Sequence, residues 1–517
     1  MKKDDTGVMK NTDIDVLIVG AGLSGIGAAV HLQKRCPSRT FQILEKRDAM
    51  GGTWDLFRYP GIRSDSDMHT LGFNFKPWKA EKAIADGPAI LAYVQETADE
   101  YDVHRHIHYG HEVIKAAWDS DAAHWTVAVK AAGKTKSLTC KWLHMCSGYY
   151  RYEAGYTPEF PGRDAFKGEL VHPQLWPEDL DYSDKKVVII GSGATAMTLV
   201  PAMTDKAAHV TMLQRSPTYV VSRPSVDKVA NFMRKILPDK WAYGLVRWRN
   251  VLLQLFLYRM TRTRPEKVKE KILGRVRKEL GPDFDVETHF TPSYNPWDQR
   301  LCLVPDSDLF IALKEKKASV VTDHIETFTE SGITLKSGET LDADIVVTAT
   351  GLELQFLGGM QVVVDGKTLD PNALLSYRGT MMSGIPNMTN VFGYTNASWT
   401  LRADLNSEYM CRVLNHLEAE SFVEARPIAD GVEAAADFVD FSSGYFQRAL
   451  TRFPRKGDTA PWIITQNYAQ DIFLMRHGKL EDGALVFRRA HESLDHVTAL
   501  MKTGPQSVRT GAPVAAE

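Results

Sequence analysis

A strand, a glycine-rich turn and a helix follow one another twice in this chain, and that repetition limits the fold more than any other feature. Residues 14–19 form a short apolar run that passes directly into G-A-G-L-S-G at 20–25 and then into helix-forming residues 26–32. Gly20 permits the turn, Gly22 lets a pyrophosphate approach bare backbone, and Gly25 lets the helix pack on the strand, with the helix N-terminus facing the phosphates. A second apolar run, 41–44, ends in Glu45, twenty residues beyond Gly25, where a carboxylate can accept hydrogen bonds from ribose hydroxyls.

The second copy begins at 187–190 and continues as G-S-G-A-T-A, with Gly191, Gly193 and Ala196 in the fingerprint positions. Its following strand, 210–213, ends in Gln214, Arg215 and Ser216 instead of an acid. A carboxylate would repel a ribose 2'-phosphate, whereas a guanidinium grips it in a bidentate manner, so this site should prefer NADPH. The first site, with Glu45, suits the unphosphorylated ribose of FAD. The expected class is α/β, two Rossmann-like dinucleotide-binding domains, with electrons passing from nicotinamide to flavin.

At roughly 150 residues per domain, 517 residues suggest about three. With 62 basic against 64 acidic residues, overall charge points to no nucleic-acid partner. The five cysteines, Cys36, Cys140, Cys146, Cys302 and Cys411, contain no C-x-x-C pair, so a disulfide reductase lacks its redox couple. Free thiols and a polar N-terminus without an apolar signal region suggest a cytoplasmic protein. The longest apolar run, 251–258, falls well short of the roughly 18 residues of a membrane span.

The outlet for a reduced flavin is then a soluble acceptor or oxygen, and here residues 166–177 are informative. They read F-K-G-E-L-V-H-P-Q-L-W-P. The pattern F-x-G-x-x-x-H-x-x-x-W-P, carried by Phe166, Gly168, His172, Trp176 and Pro177, resembles the signature of type I Baeyer-Villiger monooxygenases. A second family pattern is complete in Gly51, Gly52, Trp54, Tyr59, Pro60, Gly61 and Asp65. Further likeness in 295–300 and 349–351 extends the resemblance over nearly the whole chain, from about 13 to about 483. Within the family, residues 55–61, 299–302 and 396–400 are similar to those of the mycobacterial-type, ethionamide monooxygenase-like enzymes that activate thioamide prodrugs.

The resemblance implies a reaction. NADPH reduces FAD, oxygen adds at the flavin C4a to give a peroxide, and that peroxide attacks a ketone carbonyl, so that an apolar ketone becomes an ester or lactone. Sulfoxidation would be a side activity. Negative charge builds twice along this route, which calls for a permanent cation that is a poor acid. The family's catalytic arginine maps onto Arg300, with Asp65 orienting it, and Gly52, Thr53, Trp54 and Asp65 fall among the cofactor-binding residues. Many members carry lysine before that arginine; Gln299 stands here, so NADPH preference leans on Arg215 and Ser216. His172 is expected to couple domain motion to cofactor position.

Two weaker signals remain. His104, His106 and His108 alternate as if on one strand face, but no local carboxylate or cysteine completes a metal set, and no metal is expected. Residues 228–279 hold fifteen Lys or Arg against four Asp or Glu, interleaved with aromatics. Such a stretch could lie on an anionic membrane surface; the other reading is a helical insertion with its basic face in solvent.

The expected architecture is an FAD domain from 1–148 plus 382–517, an NADPH domain from 149–221 plus 301–381, and a helical insertion at 222–300. The partners are O2 and a small apolar ketone or sulfide. Two alternatives stay open: an N- or S-oxygenating flavin monooxygenase, and a non-catalytic flavoprotein that senses NADPH.

Overall fold

The run Ile14–Val19 sits at the centre of a sheet, which is why it is apolar nearly throughout. A computed structural model describes residues 14–299, 301–439 and 441–493. On one side of Ile14–Val19 the strand Phe41–Leu44 pairs in parallel, Val16 against Phe41 through Val19 against Leu44. On the other side the final residues of Lys134–Met145 pair in parallel, Ile14 against Cys140 through Val19 against Met145. Met388–Asn390 then adds to Leu143, His144 and Met145, so distant parts of the chain complete one parallel layer.

Lys134–Met145 belongs to a second pairing as well. Its first residues turn antiparallel against His124–Ala131, which pairs in turn with His111–Asp119. Gln361–Val364 and Lys367–Thr368 extend that end, and Ile107–His108 pairs with Phe41–Leu44 at the other, giving nine strands among the described residues. The strands Gln361–Val364 and Lys367–Thr368 correct the expected boundary, because 361–368 joins the first sheet and not the second domain. Helix Leu23–Arg35 covers the parallel part and is itself covered by the largely buried helix Trp399–Ala419.

The second sheet is parallel throughout, in the order Ala318–Thr322, His209–Gln214, Lys186–Ile190, Ile345–Thr348 and Glu169–Val171. Helix Ala194–Met203 follows the glycine turn after Lys186–Ile190. Between the sheets' segments lie helices Lys228–Ile236, Asp239–Thr263, Pro265–Leu280 and Val286–Phe290. The long one docks on the first domain through buried Arg247, which donates to the carbonyls of His69 at 2.9 Å and Gly72 at 2.7 Å and faces Asp404 at 3.4 Å. Pro265–Leu280 packs instead on Val220–Arg223 and on helix Asp308–Lys314 of the second. Among the described residues no helix is long and apolar enough to cross a membrane.

Two contacts clamp the nucleotide domains directly. Arg63 forms an ion pair with Asp308. Gly61, at φ +74°, lies so close to helix Ala194–Met203 that a Cβ there would sit 2.5 Å from Ala202 Cβ. The alternation expected of His104, His106 and His108 does not occur. His104–His106 form a 3-10 turn, and only Ile107–His108 is strand, so the three imidazoles share no strand face.

Candidate active site

The first glycine turn is shaped by what lies behind it. At Gly20, φ is +105° and a Cβ would stand 2.5 Å from the Cys146 carbonyl oxygen; at Gly25 a Cβ would collide with the Gly20 carbonyl. The turn is closed from the far side by the second glycine pair, since the Gly51 amide donates to the Ala21 carbonyl at 3.0 Å. A Cβ on Gly52 would lie only 3.0 Å from Gly22 Cα. Glu45 braces the assembly by accepting from the Ala21 amide at 2.7 Å and the Arg47 amide at 2.9 Å. Burial raises its carboxyl pKa, and those two amides oppose the rise.

These residues open on a cavity of about 400 Å³. Gly20, Gly22, Glu45, Gly52, Thr53, Trp54 and Asp65 are among the residues that line it. Thr53 is held by a 2.6 Å hydrogen bond between its hydroxyl and that of Tyr150. Ala194, Thr195 and Thr198, at the start of the second-domain helix, complete the cavity from across the domain junction. One space therefore touches the first nucleotide turn and the helix that follows the second.

The second turn stands beside it. At Gly193 nothing lies within 4 Å of where a side chain would begin, so a pyrophosphate could approach the backbone there. Ala196 is fully buried. The Ser192 hydroxyl donates to the Ser216 carbonyl at 3.0 Å, which brings the turn against the end of strand His209–Gln214. Arg215 and Ser216 are exposed at that edge. Among the described residues no carboxylate pairs with Arg215. The glycine spacing, the braced acid and the exposed guanidinium fit FAD at the first turn and NADPH at the second.

The motif at 166–177 lies away from the cavity, and its residues do local work. Phe166 packs edge-on against Phe328. Gly168 has no room for a Cβ beside the Asp344 carbonyl. His172 Nδ1 accepts from the Gln174 amide at 3.1 Å, and Gln174 donates to the carbonyls of Arg151 and Tyr152. Burial pushes the His172 pKa down against opposing backbone contacts with Gly351 and Tyr156. The imidazole ring fills the space over Gly155. Trp176 packs on the core and Pro177 is exposed. The motif thus holds together the two segments, near 150–156 and 350–355, that run between the domains.

Arg300 lies outside the described residues. Its preceding loop is pinned by Arg262, whose guanidinium meets Asp298 at 2.7 Å, and by Ser442, which donates to the Asp298 carbonyl. The strand Cys302–Pro305 that follows brings Leu303 to the cavity wall.

Sequence reading missed the aromatic wall. Tyr149 stacks on Trp399 at 5.1 Å, Phe392 meets Trp399 at 5.5 Å, and all three line the cavity with Phe446. The run N-A-S-W-T at 396–400 was the available signal, but nothing in it says that its tryptophan reaches the first turn. Cys140 and Cys146 are buried, and burial pushes both thiols well up, which leaves neither suited to thiolate chemistry.

Comparison with known proteins agrees with this geometry. A family model described as flavin-binding monooxygenase-like matches residues 83–274, and one described as an NAD(P)-binding Rossmann-like domain matches 18–81. The chain is 52% identical over 480 residues to the FAD-containing monooxygenase EthA of Mycobacterium tuberculosis (strain ATCC 25618 / H37Rv), covering 92% of this chain and 98% of that protein. It is 51% identical over 478 residues to the EthA of Mycolicibacterium smegmatis (strain ATCC 700084 / mc(2)155), covering 92% and 97%. In fold it is similar to a solved structure of oxidized steroid monooxygenase bound to NADP, with a TM-score of 0.73 at 21% identity, covering 92% of this chain and 100% of that one.

Proposed function

Because this chain belongs to the type I Baeyer-Villiger monooxygenases, in their ethionamide monooxygenase-like group, we propose that it converts apolar ketones to esters or lactones and oxidises sulfur as a side reaction. It is an NADPH-dependent flavin monooxygenase that uses O2. The observation that carries the substrate reading is the cavity itself. Its lining combines the aromatic residues Tyr149, Phe392, Trp399 and Phe446 with Asp65 and with Gly20 and Gly22 of the first glycine turn.

FAD held at the first glycine turn would, when reduced by NADPH, supply the electrons that activate O2. The chain's part is to hold, orient and exclude water. The glycine turns and Glu45 fix the dinucleotides, and the aromatic wall takes an apolar substrate out of water, which strengthens any charge interaction in the space it closes. Arg300 is assigned the electrostatic role, since a guanidinium stays charged and cannot quench a nucleophilic oxygen by giving it a proton. Asp65 is assigned to orient it.

Arg300→Ala tests the assignment. The variant should keep its FAD and go on oxidising NADPH, while ester formation falls by about 100-fold or more, the range for loss of one preorganised charge contact. Ester at the native rate would remove Arg300 from the reaction.

A further inference from the structure

Helix Asp239–Thr263 carries apolar residues on the side that faces solvent as well as on its buried side. Its inner face buries Tyr243, Val246, Arg247, Asn250 and Val251. Its outer face presents Trp241, 71% exposed, then Leu245, Trp248, Leu252 and Phe256, 60% exposed. These five positions recur at intervals of three or four, one stripe along the helix. The preceding helix, Lys228–Ile236, adds Val229, Phe232 and Ile236 at the same kind of spacing, each more than half exposed. The two helices pack on each other, and so many large apolar side chains exposed on neighbouring helices are uncommon on a protein surface and mark a site of contact.

The charges around the stripe say what the contact is with. Lys228, Lys235, Lys240 and Arg259 are exposed on the same two helices, and among the described residues none of them pairs with a carboxylate. Asp239 is the sole acid in 228–263, and Lys79 neutralises it at 3.1 Å. We infer that this face docks on an anionic lipid surface, with the aromatic and aliphatic side chains in the interface and the lysines and arginine among the headgroups. The helix lies along the surface and does not cross it. A second copy of the chain fits less well, because a twofold contact through one patch would press two unpaired basic rims together. The inner side of the same helix holds the turn 69–72 through Arg247, and Leu71 of that turn lines the cavity, so the docked face lies behind a cavity wall.

The test uses the FAD-loaded full chain and sedimentation with phospholipid vesicles. Vesicles of phosphatidylcholine containing about one-third phosphatidylglycerol should carry the protein down, pure phosphatidylcholine should carry less, and added salt should weaken the anionic case. The triple variant Trp241→Ser, Leu252→Ser, Phe256→Ser changes only exposed side chains. It should keep its flavin and unfolding temperature yet partition about 100-fold less. The inference is overturned if the triple variant binds as the parent does, or if neither vesicle binds protein. It is also overturned if the parent forms a concentration-dependent dimer that the variant abolishes while vesicles bind neither, which would assign the face to a second copy. None of these readouts depends on which substrate is oxygenated.

Discussion

The indole Nε1–H of Trp399 donates to Ser24 Oγ at 2.9 Å, across 375 residues of sequence. Ser24 sits in the first turn of helix Leu23–Arg35, directly after the first glycine turn, and Trp399 opens the long helix Trp399–Ala419. One hydrogen bond thus ties the aromatic wall of the cavity to its nucleotide end.

Ser24→Ala leaves that half-buried indole N–H without its acceptor, which should cost about 1 kcal/mol of stability. Titration of the apoprotein with FAD should show affinity falling about tenfold, with Trp399→Phe close behind it. Native affinity in both variants would mean that the wall and the turn are held by other contacts.

Gly61→Ala places a methyl group where Ala202 Cβ and the Thr198 carbonyl already stand, at a backbone φ of +74°. About 1–3 kcal/mol of strain follows, and the domain junction must open to relieve it. FAD should stay bound while stopped-flow reduction of the flavin by NADPH slows. Unchanged reduction would show that the Gly61 contact does not set the distance between the two nucleotide sites.

Arg215→Glu should raise the KM for NADPH about 100-fold or more while changing that for NADH little, because only the phosphorylated ribose meets the new charge. Steady-state kinetics with both nucleotides decide it, and equal losses would move the 2'-phosphate site elsewhere.

His144 is fully buried against Thr389, its Nδ1 2.8 Å from the hydroxyl, and burial pushes its pKa down to about 3. The unfolded chain therefore binds the proton that the folded chain refuses. Stability from this group is complete above the ordinary histidine value near 6.5 and falls by about 1.4 kcal/mol per pH unit below it. Melting temperatures of the parent should drop from pH 7 to pH 5. His144→Gln should melt lower at pH 8 but with a shallower slope below pH 6.5, and an unaltered slope would assign the acid lability to other groups.

What the sequence conveys depends on how local the cause is. The turns at 20–25 and 191–196 are legible because the glycine spacing itself is local, although the backbone that crowds Gly20 and Gly191, the carbonyls of Cys146 and Ala349, lies far along the chain. The strand Gln361–Val364 is apolar enough for either sheet, and its pairing with His111–Asp119, settled only by tertiary contact, moved it out of the domain expected for it. The alternating histidines failed for a nearby reason. Helix Gly87–Glu100 ends just before them, the Val103 amide bonds back to the Ala98 carbonyl, and the chain winds through 104–106 before it can extend. The aromatic wall and the outward apolar stripe were visible as residues but not as surfaces, since facing is a property of the packed helix.

The most direct test of the reaction is an aerobic incubation of the FAD-loaded chain with NADPH and a long-chain or aryl ketone beside a matched sulfide, with products identified by mass. The account predicts an ester heavier than the ketone by one oxygen atom, together with some sulfoxide. Sulfoxide with no ester from any ketone would contradict it and make the chain a sulfur-oxygenating enzyme on a Baeyer-Villiger fold.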